Sequence, residues 1–133
     1  DYANLIQIEK STFQKHSSKN QFKILESQTS HLIWKIEKGK ILGFVSFFHV
    51  KDEIEIIKIC IIKSYQRKNY GTRLINKIKK LKIKKIFLEV SVENTNAIKF
   101  YLKNGFEQIG VRKGYYTTNR SSRIDALRLC LKL

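Results

Sequence analysis

Gln66-Arg67-Lys68-Asn69-Tyr70-Gly71 follows an apolar, Ile- and Cys-rich stretch (Ile54 to Ile62) and opens an amphipathic segment from Thr72 to Lys82. A strand, a short loop with one Gly and one Asn that tolerates a positive φ, then a helix start make a cradle for phosphate. The loop N–H groups and the positive end of the helix dipole converge on one point, so an anion can sit there without charged side chains. Gly71 is expected to keep that approach open, because a side chain there would crowd the phosphates. Downstream, Glu89 stands within the apolar run Lys85 to Val90, on the same face as Phe87 and away from Leu88 and Val90. A carboxylate in the middle of such a strand is costly unless it is paired or functional. Taken alone, it is a Glu paired with a neighbouring Lys or a proton-transfer group. Tyr101, on the helix that follows, reads equally as a core aromatic, and Asn94 at the start of that helix reads as an N-cap.

These residues need elements to hold them. Tyr2, Leu5, Ile6 and Ile8 suggest a short first helix, whereas Lys10 to Lys23 is polar and carries no pattern. His31 to Ile36 reads as a strand, Glu37-Lys38-Gly39-Lys40 as a hairpin turn and Ile41 to Val50 as its partner. Lys51-Asp52-Glu53 turns the chain into the strand Ile54 to Ile62. Asn94 to Lys103 is a helix with Ala97, Ile98, Tyr101 and Leu102 on one face, stopped by Asn104-Gly105. Phe106 to Tyr115 and Ile124 to Leu131 complete the set. The order predicts an α/β fold, a mixed and largely antiparallel sheet flanked by helices.

The chain has 133 residues, enough for one domain over 1–133 with a core that needs no disulfide or metal. It has no apolar run long enough to span a membrane. Asp1-Tyr2-Ala3-Asn4 lacks the basic start and apolar stretch of a signal peptide, so a cytoplasmic protein is the expectation. Cys60 and Cys130 lie in apolar runs and are expected to be buried thiols rather than a disulfide. His16, His31 and His49 have no metal-ligand spacing and are expected at surface or edge positions, with no metal. The net charge of +16 comes mostly from Lys. In Lys77 to Lys85 the apolar residues keep helix-like spacing and Lys fills the solvent face, so nucleic acid is not required to explain the charge. It would still draw in an anionic ligand.

Together, the loop and the segments Phe87-Leu88-Glu89-Val90-Ser91-Val92-Glu93-Asn94, Asn96-Ala97-Ile98-Lys99-Phe100-Tyr101 and Asn104-Gly105-Phe106 resemble the acetyl-CoA-dependent N-acetyltransferases of the GNAT superfamily. That family's pyrophosphate motif, Gln/Arg-x-x-Gly-x-Gly/Ala, appears here as Gln66-x-x-Asn69-x-Gly71, with Asn69 where the family usually has Gly. Within the superfamily the likeness is to the subfamily that acetylates the N-terminal alanine of a small-subunit ribosomal protein. Its Leu-Glu-Val, its Asn five residues after the Glu and its Tyr-x-x-x-Gly-Phe are matched by Glu89, Asn94 and Tyr101 to Phe106. Arg112-Lys113-Gly114-Tyr115-Tyr116-Thr117 and Asp125-Ala126 are similar to its ending. The resemblance covers Ile54 to Leu133 well and the first third poorly.

The resemblance implies a GNAT-type sheet, acetyl-CoA as co-substrate and a protein N-terminus as acceptor, with a ribosomal protein as partner and no membrane. It implies that Ile59, Cys60 and Ile61 lie along the acyl donor, the Ile61 N–H stabilising the oxyanion. Arg67, Lys68, Asn69, Tyr70, Gly71 and Thr72 would wrap the pyrophosphate, and Asn94 would hydrogen-bond the cofactor. Glu89 would be the general base and Tyr101 the general acid that protonates the departing thiolate. Magnitudes agree with such an acceptor. An α-amine has a pKa of about 7.8 and a Lys side chain about 10.4, so neutralising the Lys near pH 7 costs about 3.5 kcal/mol more. The family's aromatic, Pro-containing segment that shapes the peptide channel has no counterpart in Phe13-Gln14-Lys15-His16-Ser17-Ser18. Two alternatives stand beside this reading: a GNAT enzyme for a small-molecule amine or lysine, and a non-catalytic basic module that binds ribosome or RNA.

Overall fold

Ile86, Leu88 and Val90 are buried while Phe87, Glu89 and Ser91 are only partly so, the period-2 signature of a strand whose two faces have different neighbours. The computed structural model describes residues 2–12, 30–117 and 123–133. Helix α1 (Tyr2–Thr12) is followed by β1 (His31–Glu37), β2 (Ile41–Val50) and β3 (Glu53–Ile61). A 3₁₀ turn at Lys63–Tyr65 leads to α2 (Tyr70–Lys79), β4 (Lys85–Ser91), α3 (Thr95–Lys103), β5 (Glu107–Thr117) and β6 (Arg123–Lys132). The strands form one six-stranded sheet in the order β1-β2-β3-β4-β6-β5. Only β3 and β4, joined through α2, run parallel; the other neighbours are antiparallel. The mixed, largely antiparallel α/β architecture is the one the sequence predicts.

Two features of β3 shape the centre of the sheet. Ser46 pairs with Lys58 and Phe47 with Ile56, so Ile57 is an extra residue, a bulge that bends the strand. The parallel pairing with β4 runs only from Glu53↔Lys85 to Ile56↔Leu88. Beyond that rung the strands part, while β2 still holds β3 as far as Gly43↔Ile61 and β6 holds β4 as far as Ser91↔Ala126.

The main core lies under α2 and α3, where Leu74, Ile75 and Ile78 of α2 meet Ile86, Leu88 and Val90 of β4. The opposite face is covered by α1, whose Leu5 and Ile8 pack on Phe44 and Cys60. Cys60 and Cys130 are both buried and are not joined in a disulfide. Lys77, Lys80, Lys82 and Lys84 are exposed. Helix α2 ends at Lys79, however, so Leu81 and Ile83 belong to the turn into β4 and do not extend the helical stripe. His31 lies on the edge strand β1, as one of the two expected positions has it, yet is 6% exposed, its Nε2 2.7 Å from Ser46 Oγ. His16 and residues 13–18 lie outside the described residues. No helix among the described residues is long and apolar enough to cross a membrane.

Candidate active site

The parting of β3 and β4 leaves one edge of β3 without a strand partner. The Ile62 N–H donates to Leu42 O at 2.8 Å, toward β2. Because main-chain groups alternate sides along a strand, the N–H groups of Ile59 and Ile61 face the gap. Gln66 confirms the direction, its side-chain amide Nε2 donating to Ile61 O at 2.9 Å and tying the following loop to the strand end. The side chains of Ile59 and Ile61 pack on the main core, and Cys60 packs under α1. Gly43, opposite Ile61, permits this course. A Cβ there would lie 2.6 Å from Cys60 O and 2.5 Å from Ile61 Cδ1.

The loop Gln66 to Asn69 holds two non-glycine residues in left-handed conformation, Arg67 at φ 61° and Asn69 at φ 67°. Left-handed residues in such a turn let successive N–H groups converge into an anion-binding concavity. Asn69 takes this conformation as the N-cap of α2, the place where the motif has Gly, and Asn bears it better than other side chains. Helix α2 begins two residues earlier than its apolar pattern suggests, so Tyr70, Gly71 and Thr72 form its first turn. Their N–H groups lack intrahelical acceptors, as at any helix start. Lys68 and Lys40 stand over the ring of Tyr65, and Arg73 over that of Tyr70. This geometry fits a pyrophosphate. An added Cβ on Gly71 would meet the ring of Phe100 on α3.

Glu89 projects on the α1 side of the sheet, just past the last β3–β4 rung. Its partners are arginines, not the lysine the simplest sequence reading supplies. Arg128 Nη1 lies 3.3 Å and Arg112 Nη1 3.5 Å from Oε1. Oε2 is buried and has no hydrogen-bond partner among the described residues. The Tyr116 hydroxyl donates to the main-chain oxygen of Glu89 at 3.4 Å. Its phenol pKa is raised, first by burial and then by Tyr115 and Glu89.

Tyr101 lies on the other face, in the main core with Leu88 and Val90. A Schellman stop fixes it. Phe106 N–H donates to Tyr101 O at 3.1 Å, Gly105 N–H donates to Leu102 O at 3.1 Å, and Gly105 takes φ 94°. The ring of Phe106 meets that of Tyr101 edge-on, 5.5 Å between centroids. Burial, then the neighbouring Cys60 and Tyr116, raise the Tyr101 phenol above its ordinary 10.0. Asn94 caps α3, its Oδ1 accepting from Ala97 N–H at 3.2 Å, which leaves its side-chain amide for another partner.

Sequence reasoning missed Arg112, Tyr116, Arg128 and Glu55. Arg128 sits directly opposite Glu89 in the β4–β6 register, an opposite-charge cross-strand pair. The pairing shows once the register is known, and no local pattern supplies the register. Among the described residues no group of His, Cys, Asp or Glu is arranged to hold a metal ion.

A sheet that parts beside a strand–loop–helix turn, with Glu89 just past the last shared rung, is the layout of a coenzyme A-dependent acyltransferase. Residues 2–106 match the Acetyltransferase (GNAT) family, and the chain belongs to it. A relative from Haemophilus ducreyi, a [ribosomal protein bS18]-alanine N-acetyltransferase, is 33% identical over 101 residues, 73% of this chain and 70% of that protein. The crystal structure of the ribosomal-protein-S18-alanine N-acetyltransferase from Escherichia coli superposes with a TM-score of 0.87 at 27% identity, covering 99% of this chain and 87% of that one. The fold also recurs in a GNAT family acetyltransferase from Elizabethkingia anophelis with acetyl-CoA bound. There the TM-score is 0.75 at 18% identity, over 99% of this chain and 90% of that one.

Proposed function

We propose that this protein acetylates the α-amine of a protein N-terminus, with the N-terminal alanine of ribosomal protein bS18 as acceptor and the cytoplasm as its place of work. The acceptor rests on the names of the relatives. The chemistry rests on one observation: the buried Glu89 Oε2 has no partner among the described residues at the point where β3 and β4 separate.

When bound, acetyl-CoA supplies a thioester that an amine attacks, the C–N bond forming as C–S breaks and the coenzyme A thiolate departs. The N–H groups of Arg67 to Thr72 hold the pyrophosphate, and the Asn94 amide adds a hydrogen bond to the cofactor. Ile61 N–H, facing the gap, donates to the carbonyl oxygen as negative charge builds there. Glu89 Oε2 takes the proton lost by the attacking nitrogen, directly or through one water. Tyr101 donates to the leaving sulfur. An ordinary phenol gives its proton to a thiolate of pKa about 8.5 uphill by about 2 kcal/mol. Burial raises Tyr101 further, so its proton moves as the C–S bond breaks and charge builds on the sulfur.

The test is direct. The protein is incubated with acetyl-CoA and peptides bearing alanine N-termini, alongside peptides with blocked N-termini and internal lysines, and products are mapped by mass spectrometry. Acetylation at the alanine α-amine is the expected result. Modification of lysine side chains alone would overturn the acceptor while leaving acetyl transfer intact.

A further inference from the structure

Glu89 is held from one side only. Arg112 and Arg128 both approach Oε1, and neither reaches Oε2. The two arginines differ in how firmly they are themselves placed. The Arg112 side chain is 63% exposed and stands over the exposed ring of Tyr115. Arg128 is 35% exposed, its guanidinium lies 5.0 Å from the Phe87 ring centroid, and the same Nη1 that meets Glu89 lies 3.2 Å from Glu55 Oε1. Glu55 on β3, Arg128 on β6 and Glu89 on β4 thus form a chain of contacts across three strands. It sits at the end of the paired stretch of β3 and β4, where Glu55 still faces Phe87 in register.

A carboxylate turns about its last torsion in a broad, nearly two-fold well, so which oxygen faces the reaction is set by what holds the other. We propose that Arg128 is a positioning residue for acetyl transfer. Anchored by Glu55 and Phe87, it pins Oε1 of Glu89 and thereby turns Oε2 toward the amine. It also separates Glu55 from Glu89, two carboxylates that would otherwise share one face of the sheet unscreened. The inference rests on Glu89 being the base.

Arg128→Met keeps the stem over Phe87 and removes the charge. Its kcat should fall about tenfold, less than outright loss of a general base costs, while KM for acetyl-CoA stays within about twofold. Arg128→Lys, which restores a cation, should recover part of that loss. The decisive readout is the double variant: in a Glu89→Gln background, Arg128→Met should change kcat by less than about twofold, because the group it positions is already gone. Equal losses with and without Glu89 would make Arg128 merely structural and overturn the proposal. So would a slow Glu89→Gln enzyme beside an Arg128→Met enzyme of wild-type rate. A Glu89→Gln enzyme of wild-type rate would instead remove the base reading itself, and the proposal with it. Should Arg128→Met not fold, Glu55→Gln carries the test. It frees the anchor without touching Glu89 and should lower kcat about threefold in the Glu89 enzyme but not in Glu89→Gln. An unchanged rate, or the same loss in both, overturns the proposal.

Discussion

A Cβ placed on Gly71 would lie 2.9 Å from Cζ and 3.1 Å from Cε1 of Phe100, so this glycine marks where the first turn of α2 touches α3. Phe100 in turn packs against Tyr101, their ring centroids 5.2 Å apart. Gly71→Val should therefore destabilise the protein by about 1–3 kcal/mol through overpacking, besides weakening acetyl-CoA binding. Thermal unfolding checks it. An unchanged midpoint would mean the Phe100 ring swings aside without cost.

Asn69 tests the phosphate cradle more cleanly, because it is exposed and held at φ 67°. A β-branched residue resists that conformation, at a cost of about 1–2 kcal/mol, and would reshape the loop. Asn69→Val should weaken acetyl-CoA binding at least about tenfold, whereas Asn69→Gly should bind as well as the parent or better. Calorimetry with acetyl-CoA decides. Equal affinity for both variants would place the pyrophosphate elsewhere.

Glu89→Gln preserves shape and removes the proposed base. Turnover should drop about 10²-fold with little change in affinity for acetyl-CoA. Raising the pH through the α-amine pKa of about 7.8 should restore part of the rate, since more of the acceptor is then neutral without help. A variant with the parent's rate near pH 7 would reduce Glu89 to an ion-pair partner of the two arginines.

Tyr101 carries two pH predictions that follow from its raised phenol. Its folded-state value lies above the ordinary 10.0, so Tyr101 stays protonated and able to donate throughout the range where the α-amine is neutral. Tyr101→Phe should lower kcat clearly, most at alkaline pH where solvent is a poorer proton source. It should not erase an alkaline limb below about pH 10, because Tyr101 does not ionise there. The second concerns stability. The unfolded chain begins to ionise this phenol at its ordinary value while the folded chain still resists. The contribution of Tyr101 is thus full below that value and is lost as the pH rises through the folded one. Denaturant titrations from about pH 9 to about pH 11 should show stability falling, and falling less steeply in Tyr101→Phe. Tyr116, raised in the same direction, keeps a residual slope. Identical slopes in parent and variant would mean Tyr101 is not desolvated in the native protein.

Local signals in the chain are enough to find the strands, the α3 stop at Asn104-Gly105 and the loop after β3, since each depends on a few adjacent residues. What escapes is set by register and by contacts across the sheet. The left-handed turn at Arg67 escapes because a basic side chain gives no hint of a positive φ. Ile57 reads as one more apolar residue of a buried strand, and only the pairing with β2 reveals it as a bulge. The Glu89–Arg128 pair depends on a register set nearly 40 residues away along the chain. The burial of His31 depends on Ser46 across the hairpin. The contact of Gly71 with the Phe100 ring also needs the third dimension: its spacing along the chain points only to phosphate.

Past the rung formed by Ile56 and Leu88 the sheet is a wall with a doorway. Glu89 stands on one side of it and Tyr101 on the other. On the proposed chemistry the two reactants meet through that doorway while their bulk stays in separate rooms. Transfer then takes place in a single ternary complex, with no acetyl group parked on the protein. Each spent partner can leave by its own door while the other remains. Coenzyme A should compete with acetyl-CoA alone and the acetylated peptide with the unmodified one alone. A single molecule tethering the two halves through the gap would hold both sides at once.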